Sequence, residues 1–360
     1  MKMKYFHMKN QSVTGWGLIF ERGTIMKKIA LDALGSDKRP NPEILGAIKA
    51  LRENDDILIY LIGKEEILHN KLRKFQYDTR RLKIINADQE VRMSESPTKA
   101  LREKKNSSIK IGMDFLKKEA DAFISAGNTG ALMTHALMQI GRIKEIKRPA
   151  ISTIIPTPYG ETILIDSGAN ADAKPIHLLQ FAIMGEIYAK IVFNKKNPKI
   201  GLLSNGEEEK KGNKLTKETN KLLKKHSKLN FIGNVEGRDI LSGEVDVVVC
   251  DGFTGNIVLK TVESIFKFIF KIFKTEIANH LLAKIGLLLL KPSLKRLLKK
   301  MDYSEFGSAP LLGIKKPVLV AHGTSDEKAI KNSINFTYKY ISEDFSKMLH
   351  EEIKDLDIDK

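Results

Sequence analysis

Short apolar runs rich in β-branched residues end in Gly/Asn/Asp turns, and helical apolar spacing follows those turns. The clearest case runs from Asp246 to Lys260. Val247-Val248-Val249 reads as a buried strand, Asp251-Gly252 stops it, Gly255 follows, and Ile257, Val258 and Leu259 begin a helix. The same order recurs. Residues 28–31 lead into Asp32-Ala33-Leu34-Gly35-Ser36-Asp37, and 122–125 into Ala126-Gly127-Asn128-Thr129-Gly130. Residues 162–165 lead into Asp166-Ser167-Gly168-Ala169-Asn170, 200–203 into Ser204-Asn205-Gly206, and 318–320 into Ala321-His322-Gly323. Further strands are read at 57–62, 84–85 and 151–155. Helices are read at 42–51, near 100–101, at 131–140 and 175–189, from 216 and from 327.

Strand, short turn and helix in repeated order predict an α/β fold with a mostly parallel sheet and helices on both faces. Right-handed crossovers place such turns on one edge. Asp32, Asn128, Asn170, Asn205, Asn256 and His322 are therefore expected to meet in one cleft, where open α/β sheets hold ligands.

Composition narrows the class. With 360 residues, 42% hydrophobic and 29% charged, the chain suits a soluble globular protein of one large α/β domain or two lobes. One cysteine, Cys250, excludes a disulfide framework and a paired-cysteine metal or redox motif, and fits a reducing compartment. Cys250 ends an apolar strand and is read as core rather than nucleophile. The net charge of +17 favours acidic partners, although joint enrichment in Lys, Ile and Asn also has a coding-bias explanation. Residues 1–25 hold only a short apolar piece before Glu21 and Arg22, and read as a disordered extension or an over-long, non-native start rather than a secretory leader. No run of 18 apolar residues occurs, so no membrane span is expected.

Glycine-flanked helix starts offer backbone N–H groups to an anion. Asn256 adds a neutral amide donor, and Lys211, between Gly206 and Gly212, adds a cation. Orthophosphate is partly dianionic near neutrality, so it needs placing more than deprotonating. Such a cleft could hold it against an acyl carbonyl, with Lys211 neutralising phosphate or oxyanion and Asn256 orienting one of them. Plainer readings stand beside these. Lys211 lies in a charged run that suits a solvated loop, Asn256 could cap its helix, and His322 could serve turn packing instead of acid–base work. Asp32, Asp166 and Asp251 form no recognised ligand spacing, so no metal or cofactor is expected. No GxGxxG, Walker or GxSxG motif is present.

The motifs IALDALGSD (29–37), SAGNTGAL (125–132), IDSGANADAKPIHLLQFAIMG (165–185), NGEEEKKGN (205–213), VDVVVCDGFTGNIVLKT (245–261), MDYSEFGSAPLLG (301–313) and AHGTSD (321–326) cover nearly the whole chain. In them the chain resembles the PlsX family of bacterial phosphate acyltransferases. The resemblance implies a Rossmann-like αβα sandwich related to the isocitrate/isopropylmalate dehydrogenases, with 26–350 as one α/β domain and 351–360 as a tail. It implies a homodimer that converts acyl-[acyl carrier protein] and inorganic phosphate to acyl phosphate, starting phospholipid synthesis. It makes Lys211 and Asn256 the essential pair. Asp32, Gly127, Asn128, Thr129, Asn170, Asn205, Gly206, Gly252, Thr254 and His322 are assigned to substrate and phosphate binding. Ser36 and Ser167 depart from the family pattern.

Residues 261–284 place Val262, Ile265, Ile269, Ile272 and Phe273 at helical spacing, with Lys267, Lys271 and Lys274 on another stripe. IGLLLL (285–290) follows, then Pro292 and a second short basic helix. Residues 261–300 are read as an amphipathic helical tip. Leu287, Leu288, Leu289 and Leu290 are its contact with an anionic membrane surface, a dimer contact or core packing being the alternatives. Expected partners are acyl carrier protein, orthophosphate, a second copy of the chain, that membrane and a downstream membrane glycerol-3-phosphate acyltransferase. The place of action is the cytoplasm, at the inner face of the membrane. Nucleic acid is not expected, because basic and aromatic residues do not alternate. Rival readings are a short-chain phosphate acetyl- or butyryltransferase using a CoA thioester, a dehydrogenase of the same broad fold, and a basic scaffold. Changing Leu288 and Leu289 to Asp should release the protein from anionic vesicles in a flotation assay while sparing turnover of soluble substrate. Unchanged flotation would remove the membrane contact.

Overall fold

The structure is a computed structural model, and it describes residues 26–279, 286, 290, 292, 305–342 and 345–354. Its first half interleaves β1 (Lys27–Asp32), α1 (Asn41–Glu53), β2 (Ile57–Gly63), α2 (Glu65–Leu72), β3 (Leu82–Asn86), α3 (Pro97–Glu103), α4 (Ser108–Lys118), β4 (Ala122–Ser125) and α5 (Thr129–His135). A π-helical turn, Ala136–Ile140, extends α5. The second half holds β5 (Ala150–Thr157), β6 (Gly160–Ile165), α6 (Pro175–Phe193), β7 (Ile200–Leu203), α7 (Lys214–Lys225), β8 (Phe231–Val235), β9 (Val247–Val249) and α8 (Gly252–Asn279). The chain closes with β10 (Ser308–Leu312), β11 (Val318–Ala321), α9 (Glu327–Ser342) and α10 (Phe345–Lys354).

Among the described residues, all eleven strands form one sheet in the order β3-β2-β1-β4-β11-β10-β5-β6-β9-β7-β8. It is mostly parallel, as the repeated strand–turn–helix order implies. Three antiparallel pairings interrupt it: β11 with β10, β10 with β5, and β5 with β6. Following the directions across these pairings, β3, β2, β1, β4 and β11 run one way, and β6, β9, β7 and β8 run the other. The single carboxyl edge expected from the sequence is therefore two edges. Asp32, Asn128 and His322 leave one; Asn170, Asn205 and Asn256 leave the other. The cause is local. Only a tight turn separates β5 from β6, too few residues for a helical crossover, so the two strands form a hairpin.

Strands β1 and β9 are buried on both faces, and Val247, Val248 and Val249 show no exposed surface. Helix α6 packs over β6 and β9 through Phe181, Met184 and Tyr188, in one cluster with Ile165, Val247 and Val249. By length and composition α6 could cross a membrane, but 72% of its apolar window is buried inside the fold. That burial explains why its apolar residues wrap all round the helix rather than forming a stripe.

Several elements, α2 and α10 among them, were not read from the sequence, and for two others the reason is local. Helix α4 begins at a polar Asn106-Ser107-Ser108 stretch that reads as loop, because Ser107 is its cap and accepts from the Lys110 N–H. Strand β10 carries a proline, which argues against a strand in isolation. The helix read at the start of the tip is continuous with α8 as far as Asn279. Leu287, Leu288 and Leu289 lie outside the described residues, and Leu290 is exposed.

A glycine in a helix interior usually gives way to alanine with a gain of about 1 kcal/mol. Gly185 should reverse that sign, because a Cβ there would lie 2.5 Å from Val247 Cγ1. Gly185→Ala is expected to cost roughly 1–3 kcal/mol of stability by urea unfolding. A gain would show that α6 does not press on β9 as described.

Candidate active site

On the β6–β9–β7 edge a buried carboxylate organises the backbone. Asp166 Oδ1 accepts from the N–H groups of Ile151, Gly168 and Ala169 at 3.1, 3.2 and 3.0 Å. Its Oδ2 accepts from the Asn170 N–H at 2.7 Å and from Asn170 Nδ2 at 2.8 Å. Burial pushes the Asp166 pKa up while these hydrogen bonds pull it back. The first turn of α8 docks on this loop. The Gly252 N–H donates to the Asn170 carbonyl at 2.7 Å, and Asp251 caps the helix by accepting from the Thr254 N–H and hydroxyl. A Cβ on Gly252 would lie 2.7 Å from Asp166 Oδ2, and one on Gly255 only 1.9 Å from the Asp166 carbonyl oxygen. The helix reaches this position only because both residues are glycine. Asn256 then lies beside Gly168, 3.7 Å from where a Cβ would stand.

Strands β7 and β9 are parallel neighbours, with Leu202 opposite Val249. Their following loops thus leave one edge about 4.8 Å apart at the strands. The β7 loop is folded on itself: the Gly212 N–H donates to Asn205 Oδ1 at 2.8 Å and the Lys211 N–H to the Glu208 carbonyl at 2.9 Å. Gly206 is buried, and a Cβ there would meet Lys211 Cγ at 2.7 Å. Lys211 and Asn256 are both exposed, and among the described residues neither side-chain amine nor amide is hydrogen-bonded or paired.

The other edge is built from the turns after β1, β4 and β11. Asp32 is buried, accepting from Ser125 Oγ at 2.6 Å and the Leu34 N–H at 2.9 Å, and burial pushes its carboxyl up. The Gly127 N–H donates to the same Ser125 hydroxyl, and Gly35 presses so close that a Cβ would lie 2.7 Å from Gly127 N. Behind them Glu43 Oε1 accepts from the Ser36 N–H, while Oε2 is buried without a partner. Asn128 is committed within the protein. Its Oδ1 caps α5 through the Ala131 N–H, and its Nδ2 donates to the carbonyls of Arg92, Met93 and Glu95. Thr129 is the exposed first residue of α5.

Helix α8 joins the two edges. Its Lys260 and Glu263 reach His322, at 3.4 Å and 3.8 Å from the imidazole Nε2. Sequence reading did not select Lys260 or Glu263, and it weighed Asp166 only as a metal ligand. Helical spacing from Asn256 would have found the first two. The five donors around Asp166 have no local signature. Of the residues assigned to binding, Asp32, Asn128, Asn170, Asn205 and Thr254 use their side chains to hold the turns. Lys211 and Asn256 are left to face outward.

Burial carries the Glu43 carboxyl from 4.5 to about 7. A carboxyl with a raised folded-state pKa keeps its proton longer than in the unfolded chain. Stability is thus fully present below about pH 4.5 and is lost as pH rises through about 7. Glu43→Gln should remove a loss of about 3 kcal/mol between pH 5 and 8, read as the difference in urea unfolding from the parent. Parallel pH profiles would contradict this account of Glu43.

A family model described as "Fatty acid synthesis protein" matches residues 27–348. A phosphate acyltransferase of Thermoanaerobacter pseudethanolicus is 48% identical over 330 residues, 91% of this chain and 98% of that protein. One of Thermoanaerobacterium thermosaccharolyticum is 49% identical over 328 residues, 91% of this chain and 97% of that protein. Among solved structures, a phosphotransacetylase from Streptococcus pyogenes aligns with TM-score 0.57 at 18% identity, covering 89% of this chain and 96% of that one. A branched-chain phosphotransacylase from Enterococcus faecalis V583 aligns with TM-score 0.54 at 15% identity, covering 88% and 99%. At those identities the structures establish a shared fold. The sequence matches go further: the chain belongs to the PlsX family of phosphate acyltransferases, enzymes of fatty acid and lipid synthesis that act on phosphate and an acyl donor.

Proposed function

We infer that the enzyme transfers a long-chain acyl group from acyl-[acyl carrier protein] to orthophosphate, the first step of phospholipid synthesis. A phosphate oxygen attacks the thioester carbonyl and forms a tetrahedral oxyanion. The C–S bond then breaks, the carrier's thiolate leaves and takes a proton from solvent, and the acyl phosphate remains. The observation that carries this reading is the placement of Lys211 and Asn256. Lys211 lies in the loop after β7 and Asn256 near the start of α8 after β9, β7 and β9 being adjacent parallel strands, with no described partner for either side chain.

The nucleophile arrives already charged, so the site needs donors rather than a strong base. Lys211 neutralises phosphate or the developing oxyanion, and Asn256 donates an N–H to the other. Gly127, Thr129, Gly206 and Gly252 keep backbone close to the anion, while Asp32, Asn128, Asn170, Asn205 and Thr254 fix the loops that carry it. His322 completes the site from the other edge. A net charge of +17 favours approach of an acidic carrier protein. A second copy of the chain and an anionic membrane surface belong to the same reading. The acyl phosphate would pass to a membrane glycerol-3-phosphate acyltransferase.

The test is direct. Purified protein is given palmitoyl-carrier protein or acetyl-CoA, with and without orthophosphate, and acyl phosphate is trapped with hydroxylamine. Phosphate-dependent hydroxamate from the carrier thioester is expected. Lys211→Ala and Asn256→Ala should each lower kcat/KM by about 10²–10³-fold with melting temperature kept. Turnover of acetyl-CoA alone would replace this reading with a short-chain phosphotransacylase.

A further inference from the structure

Asn256, Lys260 and Glu263 fall at i, i+4 and i+7 along α8, so they share one helix face. The adjoining face carries Ile257, Thr261, Ile265 and Phe268, which together with Lys260 line an open groove. Glu263 is unusual on the polar face. It carries a carboxylate on a side chain only 8% exposed, although the helix has open surface close by. A carboxylate in such a place needs donors. Lys260 Nζ, on its own helix, donates to it at 3.0 Å, and His322 Nε2, from the turn after β11, lies 3.8 Å away, at ion-pair rather than hydrogen-bond range.

The imidazole is oriented from its far side. His322 Nδ1 accepts from the Thr324 N–H at 3.2 Å and lies 2.9 Å from the Thr324 hydroxyl. Accepting at Nδ1 puts the ring proton on Nε2. Lys260 Nζ and His322 Nε2 are then both donors, yet they stand 3.4 Å apart. Two donors do not attract one another. The Glu263 carboxylate, within reach of both, is what holds them together. It does so across the two opposed carboxyl edges, with Lys260 about 6 Å and Glu263 about 10 Å along the helix from Asn256.

We propose that Glu263 is a positioning residue: it holds Lys260 of α8 and His322 of the opposite edge together as a second donor pair for phosphoryl oxygens, one helical turn beyond Asn256. The inference rests on the phosphate-transfer reading above and extends it. The anion is held by Lys211 and Asn256 on one edge and by this pair on the other. The pair acts on the phosphate and not on the acyl chain.

Orthophosphate itself is the probe, titrated calorimetrically into the full-length protein, so the test does not depend on turnover. Glu263→Gln keeps the shape and removes the charge, and is expected to weaken orthophosphate binding about 10-fold. Glu263→Asp should stay within about 3-fold of the parent. Lys260→Met should match Glu263→Gln, and the double variant should be no weaker than the worse single one, because both break one unit. In steady state the same variants should raise KM for phosphate while KM for the acyl carrier thioester stays within about 2-fold. Unchanged phosphate affinity in Glu263→Gln, or fully additive losses, would overturn the proposal. If Glu263→Gln fails to fold, Lys260→Met alone decides by the same titration, and an unchanged affinity there overturns it. Absence of phosphate-dependent thioester cleavage in the parent would instead sink the transfer reading, while the titration still reports on the donor pair.

Discussion

The buried Asp166 carboxylate is the constraint on which the rest of the site depends. An isolated carboxylate would cost several kcal/mol in such a place, and it is tolerated here because five N–H bonds converge on it. Those bonds bend residues 166–170 into a compact loop. The loop leaves no room for a side chain on Gly252 or Gly255, so α8 can start in one place only. Everything that α8 carries inherits its position from that contact. Asn256 stands beside Gly168, and Lys260 and Glu263 follow on the same face.

The sheet explains why a long helix is needed. Its two parallel halves point in opposite directions, so no single edge collects all the glycine turns. The turns on each edge are stabilised among themselves: Asp32 with Ser125 and Gly127 on one, Asp166 with Asn170 and Gly252 on the other. Helix α8 starts on the second edge and contacts the first through Glu263 and His322. Asn256 from one half and His322 from the other are thereby connected within two turns of one helix. On the proposed reading an anion would lie between these two supports, and positioning would be the source of rate enhancement.

Much of this was visible in the chain before any coordinates. The β-branched run at Val247 to Val249 and the paired glycines after it announce a buried strand, a tight turn and a helix, and that is how the segment folds. The strand–turn–helix repeat announced the mostly parallel sheet. Strand direction was not announced, because hydrophobic pattern is the same for a parallel and an antiparallel neighbour. The β5–β6 hairpin and β10 therefore reversed half of the sheet unseen. Polar side chains were the harder part. Asn128 and Asn170 look like ligand donors in sequence, but their amides are consumed by carbonyls of Arg92, Met93, Glu95 and Pro149. A residue type reveals what a side chain could donate, and only packing reveals whether the donation is already made.

The central claim is that Lys211 and Asn256 share one anion. A crystal structure of the protein grown with orthophosphate tests it most directly. The account predicts a phosphate at the first turn of α8, within hydrogen-bonding distance of both Lys211 Nζ and the Asn256 amide. A phosphate bound at high occupancy elsewhere, with these two side chains unable to reach a common point, would contradict it.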